Sequence, residues 1–199
     1  MVLARSTELD ALNTMLSTIG VLPETGTTDL TGEPSMALNV LREVSRAVQA
    51  EGWHFNTEKE VTISPSEVEG YIELGTNVVR ADQTDGKYST IDVCQRGEKL
   101  YDRKANSFVF TGDVEVTLVV LLDWEDLPEP ARAYIFQRAS RIFKDRQRAD
   151  NKTRESAPTA EEMRALATLK HMEGDTADHS IFDSLLPWQV RNRDGRGIL

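Results

Sequence analysis

The sequence is poor in the residues that build disulfides, metal centres and membrane spans. Its 199 residues contain one cysteine, Cys94, and three histidines. One cysteine cannot form an internal disulfide or a thiolate zinc cluster, and this usage is typical of a protein assembled in a reducing compartment. No apolar run approaches the roughly 20 residues of a membrane-spanning helix, and residues 1–10 lack the apolar stretch of a secretory signal. We therefore expect synthesis in the cytosol and no membrane anchor.

Positive charge is also scarce, because 23 lysines and arginines face 33 acids and leave a net charge of -10. Proteins that bind DNA through its phosphates usually show the opposite balance. Sequence-independent binding to nucleic acid is therefore not expected. The acidity fits either a need for solubility or a surface past which DNA slides without sticking.

Apolar residues recur at helical spacing in the first quarter of the chain. The first predicted helix begins at Ser6 or Thr7, both good N-caps, and stops at Gly20. The second runs from Pro34 towards Gly52. Its apolar stripe consists of Ala37, Val40, Leu41, Val44, Ala47 and Val48. The side predicted to face solvent consists of Arg42, Glu43, Arg46 and Gln49.

Between residues 58 and 123 the pattern changes to short runs of period two, which predict strands. The runs lie at 61–63, 71–74, 78–79, 91–93, 100–101, 108–110 and 114–122. Turn-forming residues separate them, so antiparallel pairing is expected. The last run, from Val116 to Leu122, is almost continuously apolar and is predicted to be the most buried strand.

Helical periodicity returns at Leu127, with Pro128 and Pro130 suited to a first turn. A fourth helix is predicted from Pro158 to about Met172. Its inward-facing residues are predicted to be Met163, Leu166, Ala167 and Leu169. The fold class is therefore α+β. Residues 1–56 and 124–199 are expected to form a helical bundle, into which residues 57–123 insert an antiparallel β domain.

The sequence carries no recognisable catalytic motif. It lacks a nucleophile elbow, a phosphate-binding loop, a dinucleotide fingerprint and a zinc-protease helix. The carboxylate pairs Glu58/Glu60 and Glu67/Glu69 are of the kind used in glycoside hydrolysis, although pairs arise by chance among 33 acids. Cys94 lies in a strand pattern and is expected to be a small core residue.

A short segment near the end of the fourth helix holds four potential metal ligands, which are His171, Asp175, Asp178 and His179. Their spacing matches no metal template, so a solvated acidic loop is the favoured interpretation. No metal and no cofactor are predicted.

Two groups of residues are candidates for contacts with a partner. The first is the basic side of the third helix, consisting of Arg138, Arg141, Lys144 and Arg148. It could meet an acidic patch of a neighbouring subunit or DNA in a channel, or it could be a solvated face. The second is apolar and consists of Leu185, Leu186 and Trp188. It could anchor a partner protein or fold back on the bundle.

Four segments resemble, in order, the tail tubular protein A family of short-tailed bacteriophages. The first two are Ala11-Leu12-Asn13 onwards and the helix that ends in Gly52-Trp53 with Phe55-Asn56. The others are Leu100-Tyr101-Asp102-Arg103 and the acidic, proline-containing entry at 123–128 that leads into 134–146. The resemblance covers about residues 11–148.

This resemblance implies a structural virion protein of the tail, not an enzyme. The family forms a ring, expected to contain twelve subunits, that joins the portal protein to the tail nozzle (tail tubular protein B). It retains packaged DNA and lets it pass during ejection. Two alternatives remain open: a hydrolase of envelope polysaccharide associated with the phage tail, and a metal-binding or small-molecule module around 171–179.

Overall fold

The computed structural model describes residues 4–84, 91–147 and 156–176. The helices are α1 (Glu8–Ser17), α2 (Glu33–Gln49), α3 (Glu129–Gln147) and α4 (Ala160–Thr176). The strands are β1 (Thr57–Ile63), β2 (Val78–Gln83), β3 (Val93–Arg96), β4 (Lys99–Asp102) and β5 (Val114–Val120). One-turn 3₁₀ helices at His54–Asn56 and Trp124–Asp126 precede and follow the sheet. Helices therefore flank a sheet at both ends, which confirms the predicted α+β class.

α1 begins where the sequence predicted, at a reciprocal cap. Thr7 Oγ1 accepts a hydrogen bond from the Asp10 N–H at 3.1 Å, and Asp10 Oδ2 accepts from the Thr7 N–H at 3.0 Å. The side-chain and backbone hydrogen bonds from Thr7 lower the pKa of Asp10 below its ordinary value. Two backbone donors that the helix cannot pair internally are thereby satisfied. The chain then leaves α1 through Gly20, whose φ is 78°.

α2 buries the predicted stripe but departs from the prediction at two positions. Ala47 is exposed, although its spacing placed it on the apolar side. Gln49 was predicted to face solvent and is only 2% exposed. Gln49 is buried because its side chain forms hydrogen bonds with the backbone of Leu122, which follows β5. A polar residue can be buried when its donor and acceptor are both paired.

α3 is the central helix, since it packs against α1, α2 and α4. α4 packs mainly on α3, so it presents only a narrow face inward. Leu169 is fully buried there and Leu166 is half-buried, as predicted. The prediction that Met163 and Ala167 face inward is wrong, because Met163 is 57% exposed and Ala167 is also exposed.

A buried arginine fastens the N-terminal segment to the start of α3. Arg132 is 3% exposed and points all three of its nitrogens at backbone carbonyls. Nε donates to Leu127 at 2.9 Å, Nη1 donates to Ser6 at 2.7 Å, and Nη2 donates to Glu125. The indole of Trp124 also donates to the Ser6 carbonyl, at 3.1 Å. This cluster fixes the entry into α1 against the exit from the sheet.

The sheet has the strand order β1-β5-β2-β3-β4, and each neighbouring pair is antiparallel. β5 lies between β1 and β2 and buries five of its seven residues, which confirms the prediction for this run. The predicted strands at 71–74 and 108–110 are wrong, since only isolated bridges form there. Residues 71–74 instead line β4, where Leu100 donates to Ile72 and Leu74 donates to Glu98.

Two hydrophobic clusters fill the interior. One lies among the four helices, and the other lies on one side of the sheet around Val116, Leu100 and Ile72. Leu122 packs against both. The proposed division into residues 1–56 with 124–199 and residues 57–123 follows the same separation and stays a prediction.

Candidate interface surfaces

The basic residues predicted on one side of α3 have different neighbours. Arg141 pairs with Glu162 of α4, whereas Arg138 lies near Glu51, which follows α2. Arg141 packs against α4, and its side chain is 9% exposed. Its Nε and Nη2 donate to the two carboxylate oxygens of Glu162 at 2.7 and 3.2 Å, and its Nη1 donates to the Ser156 carbonyl at 3.0 Å. Glu162 is itself 5% exposed. Arg141 therefore holds two helices together within one subunit.

Arg138 and Lys144, two other basic residues of this group, are more accessible. Arg138 is 30% exposed and lies near Glu51 at 3.7 Å and the Tyr134 hydroxyl at 3.4 Å. Lys144 is half-buried. Arg148, Leu185, Leu186 and Trp188 lie outside the described residues. That any of these residues contacts a partner stays a prediction.

The sequence interpretation missed Arg146, which joins α3 to α2. Its Nη1 and Nη2 donate to the two carboxylate oxygens of Glu43 at 2.7 and 2.8 Å. Hydrogen bonding from Arg146 holds the pKa of Glu43 below its ordinary value. The two side chains are 47% and 54% exposed. Such a pair stabilises by less than about 1 kcal/mol, because water screens it.

A basic–aromatic cluster on the β domain was also missed. The Arg96 guanidinium carbon lies 3.5 Å from the centroid of the Tyr101 ring, and Lys99 Nζ lies 4.1 Å from the centroid of Tyr71. Phe108 meets Tyr101 edge to face, with 4.8 Å between the ring centroids. Cations over aromatic faces attract the rings without losing their charge. The signal was present in the sequence, but these residues come together only when β4 pairs with its neighbours.

The hairpin end beside this cluster is held by a buried carboxylate. Asp102 Oδ1 accepts hydrogen bonds from the backbone of Lys104, Ala105 and Asp92 at 2.8, 3.3 and 3.3 Å. Burial alone raises the pKa of Asp102, but these backbone donors outweigh it and hold the pKa below its ordinary value. These hydrogen bonds therefore fix the start of the loop that carries Phe108.

The acidic residues considered for catalysis all lie on the surface. Glu58 and Glu60 are exposed on β1, and Glu67 and Glu69 are exposed on the following loop. Cys94 is half-buried in β3 and is not part of the core that was predicted for it.

Two of the four metal-binding candidates, His171 and Asp175, lie in the described part of the chain. His171 Nδ1 lies 2.9 Å from Asp175 Oδ2 on the surface of α4. Asp178 and His179 lie outside the described residues. Within residues 4–84, 91–147 and 156–176, no group of three or more histidine, cysteine or acidic side chains is placed to hold a metal ion. In the same ranges, no helix is long and apolar enough to cross a membrane.

The sequence model of the family described as Tail tubular protein matches residues 9–179. Tail tubular protein A of Klebsiella phage KP34 is 28% identical over 172 residues, which cover 83% of this chain and 87% of that protein. A solved chain from the neck of an empty GTA particle computed with C6 symmetry aligns with a TM-score of 0.32 and 14% identity, and the alignment covers 85% of this chain and 95% of that one.

The family match spans most of the chain, so the protein is a structural component of a bacteriophage tail. It belongs to the tail tubular protein family. The resemblance in the ordered sequence segments is thereby confirmed.

Proposed function

We propose that this chain is the subunit of a tail adaptor ring that joins the portal protein to the tail nozzle. The observation that carries the proposal is the family match over residues 9–179, together with the similarity to a phage protein named Tail tubular protein A. The structure supports it physically. A helical bundle tied by Arg132, Arg141 and Arg146 offers a stiff frame, and the sheet offers a second surface on the same subunit.

The proposed ring contains twelve copies, each using one surface to contact the opposite surface of the next. Such contacts close into a ring when the rotation between copies divides a full turn. Each contact can be weak, because a subunit held by two neighbours and by the portal binds through several sites at once. A small interface per copy is therefore sufficient.

The proposed ring retains packaged DNA and lets it pass during ejection. The chain's net charge of -10 supports passage without specific binding, because like charges repel the DNA phosphates from the wall. The role is non-enzymatic, which fits a structural family. Synthesis takes place in the host cytoplasm, before assembly into the virion.

The residues proposed for the portal or nozzle contact are those of the accessible basic side of α3 and of the C-terminal segment. Arg138 and Lys144 remain candidates on α3, together with Arg148, Leu185, Leu186 and Trp188. Arg141 is a weaker candidate, because its guanidinium group is already paired within the subunit. A Lys144→Glu variant, in which Arg141 is intact, tests for a contact with the portal or nozzle without disturbing the pairing of Arg141 within the subunit.

Electron microscopy of the purified protein mixed with its portal tests the proposal. We expect rings of about twelve copies seated on the portal. Protein that stays monomeric and never binds the portal would contradict the adaptor role. A variant that lacks residues 180–199 is the companion sample. Loss of docking by a protein that still folds would assign the contact to that segment.

A further inference from the structure

We infer that the basic–aromatic cluster formed by Tyr71, Arg96, Lys99, Tyr101 and Phe108 receives the acidic edge of β1 from a second copy of this chain. The acidic edge is defined by Glu58 and Glu60. The inference rests on the ring proposed above, and it names the surfaces that two neighbouring subunits place in contact.

The cluster has the composition and accessibility of a protein contact. Tyrosine, arginine and phenylalanine are enriched at the centres of protein interfaces. Phe108 is 36% exposed and the neighbouring Val109 is 51% exposed. The Arg96 guanidinium lies over the Tyr101 ring and the Lys99 ammonium over the Tyr71 ring, and Lys99 also forms a long ion pair of 4.0 Å with the exposed Glu73. The cluster therefore offers two positive charges beside exposed apolar area.

The acidic edge lies at the other end of the strand order. β1 is the edge strand opposite β4, and Glu58, Lys59 and Glu60 on it are exposed, so that two acids flank one cation. The strand bulges between Glu58 and Val61, and Glu60 has a φ of 58°, which side chains other than glycine rarely adopt. Strained backbone of this kind occurs more often at functional positions, and a bulge redirects the side chains beside it.

The two surfaces lie at the same height along the strands. Cys94 pairs with Asp82, and continuing this antiparallel register by two residues brings Arg96 level with Arg80. The ladder therefore places one row of residues across the whole sheet. That row consists of Lys99, Arg96, Arg80, Val119 and Thr57. Glu58 directly follows the last of them.

This arrangement favours a second copy over other partners. A ring needs two different surfaces on opposite sides of each subunit, and these two are opposite in charge and matched in height. Arg96 and Lys99 form a small positive surface for binding DNA phosphates, and the chain's net charge of -10 opposes such binding. The contact would repeat around the ring, so each pair of charges can be weak.

Charge reversal on each of the two surfaces, and on both together, tests the pairing. One variant carries Glu58→Lys and Glu60→Lys, a second carries Arg96→Glu and Lys99→Glu, and a third carries all four changes. The readout is the protein concentration at which half of the portals carry a ring, counted by electron microscopy. We expect each double reversal to raise this concentration about tenfold or more, because attraction becomes repulsion at every contact. The fourfold variant should return close to the wild type.

The matched control carries Glu67→Lys and Glu69→Lys, two exposed acids outside the row. Thermal unfolding of every variant establishes that it folds. A second measurement needs no substitution. Rings made from equal parts of unlabelled and nitrogen-15-labelled wild-type protein are treated with a carbodiimide, which joins carboxylates to amines in contact. We expect mixed-label peptide pairs that join Glu58 or Glu60 to Lys99.

The outcomes separate the inference from the adaptor role. Reversals that behave like the control, a fourfold variant that does not recover, or a base reversal that acts while the acid reversal does not would each overturn the inference. In these cases the wild-type rings still stand, and the adaptor role with them. Wild-type protein that forms no ring on the portal would overturn both.

Discussion

The side-chain amide of Gln49 pairs with both backbone groups of Leu122. The Leu122 N–H donates to Gln49 Oε1 at 2.7 Å, and Gln49 Nε2 donates to the Leu122 carbonyl at 3.1 Å. Asn56 acts beside it, because its Nδ2 donates to the carbonyls of Gln49 and Val120 at 2.9 and 2.8 Å. The end of α2 is thereby joined to the segment that leaves β5. These two amides therefore help to hold the sheet on the bundle.

Replacing Gln49 with leucine should destabilise the protein by about 1 to 3 kcal/mol, because the partly buried N–H and carbonyl groups of Leu122 both lose their hydrogen-bond partner. Urea unfolding followed by circular dichroism measures the change. Arg46→Leu, at an exposed position of the same helix, is the matched control. A Gln49→Leu protein as stable as this control would show that water replaces the amide at no cost.

The buried pair of Arg141 and Glu162 gives a second prediction. Arg141→Met should cost about 3 to 5 kcal/mol, because it leaves the Glu162 carboxylate buried without a counter-charge. Arg146→Met, which breaks the exposed pair with Glu43, should cost less than about 1 kcal/mol. Chemical denaturation compares the two.

Adding Glu162→Leu to Arg141→Met should recover much of the loss, since the unpaired charge is removed. A double variant no more stable than Arg141→Met would mean that the cost arises from packing or from the lost contact with Ser156. Reduced ring formation by a stable double variant would instead favour a partner contact for Arg141.

Asp102 predicts a specific response to acid. Its pKa is held below the ordinary aspartate value in the folded state, so folding releases a proton that the unfolded chain retains at low pH. The stabilisation is complete above the ordinary value, about 3.9, and is lost as pH falls through the folded value. The wild type should lose stability below about pH 4 more steeply than Asp102→Asn.

Urea midpoints measured between neutral pH and the acid limit of folding test this difference. Asp113→Asn, at an exposed position, controls for the loss of one carboxylate. Parallel curves for the wild type and Asp102→Asn would contradict the role assigned to the backbone donors around Asp102.

The cap of α1 gives a fourth prediction. Thr7→Ala should destabilise the protein by about 1 kcal/mol, since the Asp10 N–H loses its acceptor. Thr28→Ala, at an exposed loop position, is the control, and thermal unfolding measures both. Equal unfolding temperatures for the two variants would show that the first turn of α1 does not need the reciprocal cap.

Local chemistry in the sequence determined a large part of the fold. Thr7 and Asp10 specify the start of α1 through hydrogen bonds between near neighbours, and the apolar run that forms β5 required burial on both sides. Period-two and helical spacing separated the sheet from the helices. These signals are local, because they depend on residues within one or two turns of each other. The order of four segments also identified the family.

Only the tertiary structure decided which polar residues are buried and which surfaces remain free. Gln49 is buried because Leu122, 73 residues away, pairs with it, and Glu162 is buried because Arg141 of α3 pairs with it. Met163 is exposed because α4 packs on little besides α3. Periodicity shows that a helix has an apolar side but not how wide a side its neighbours cover. The same holds for Arg96 and Lys99, whose place beside Tyr101 and Tyr71 depends on strand pairing that no local pattern encodes.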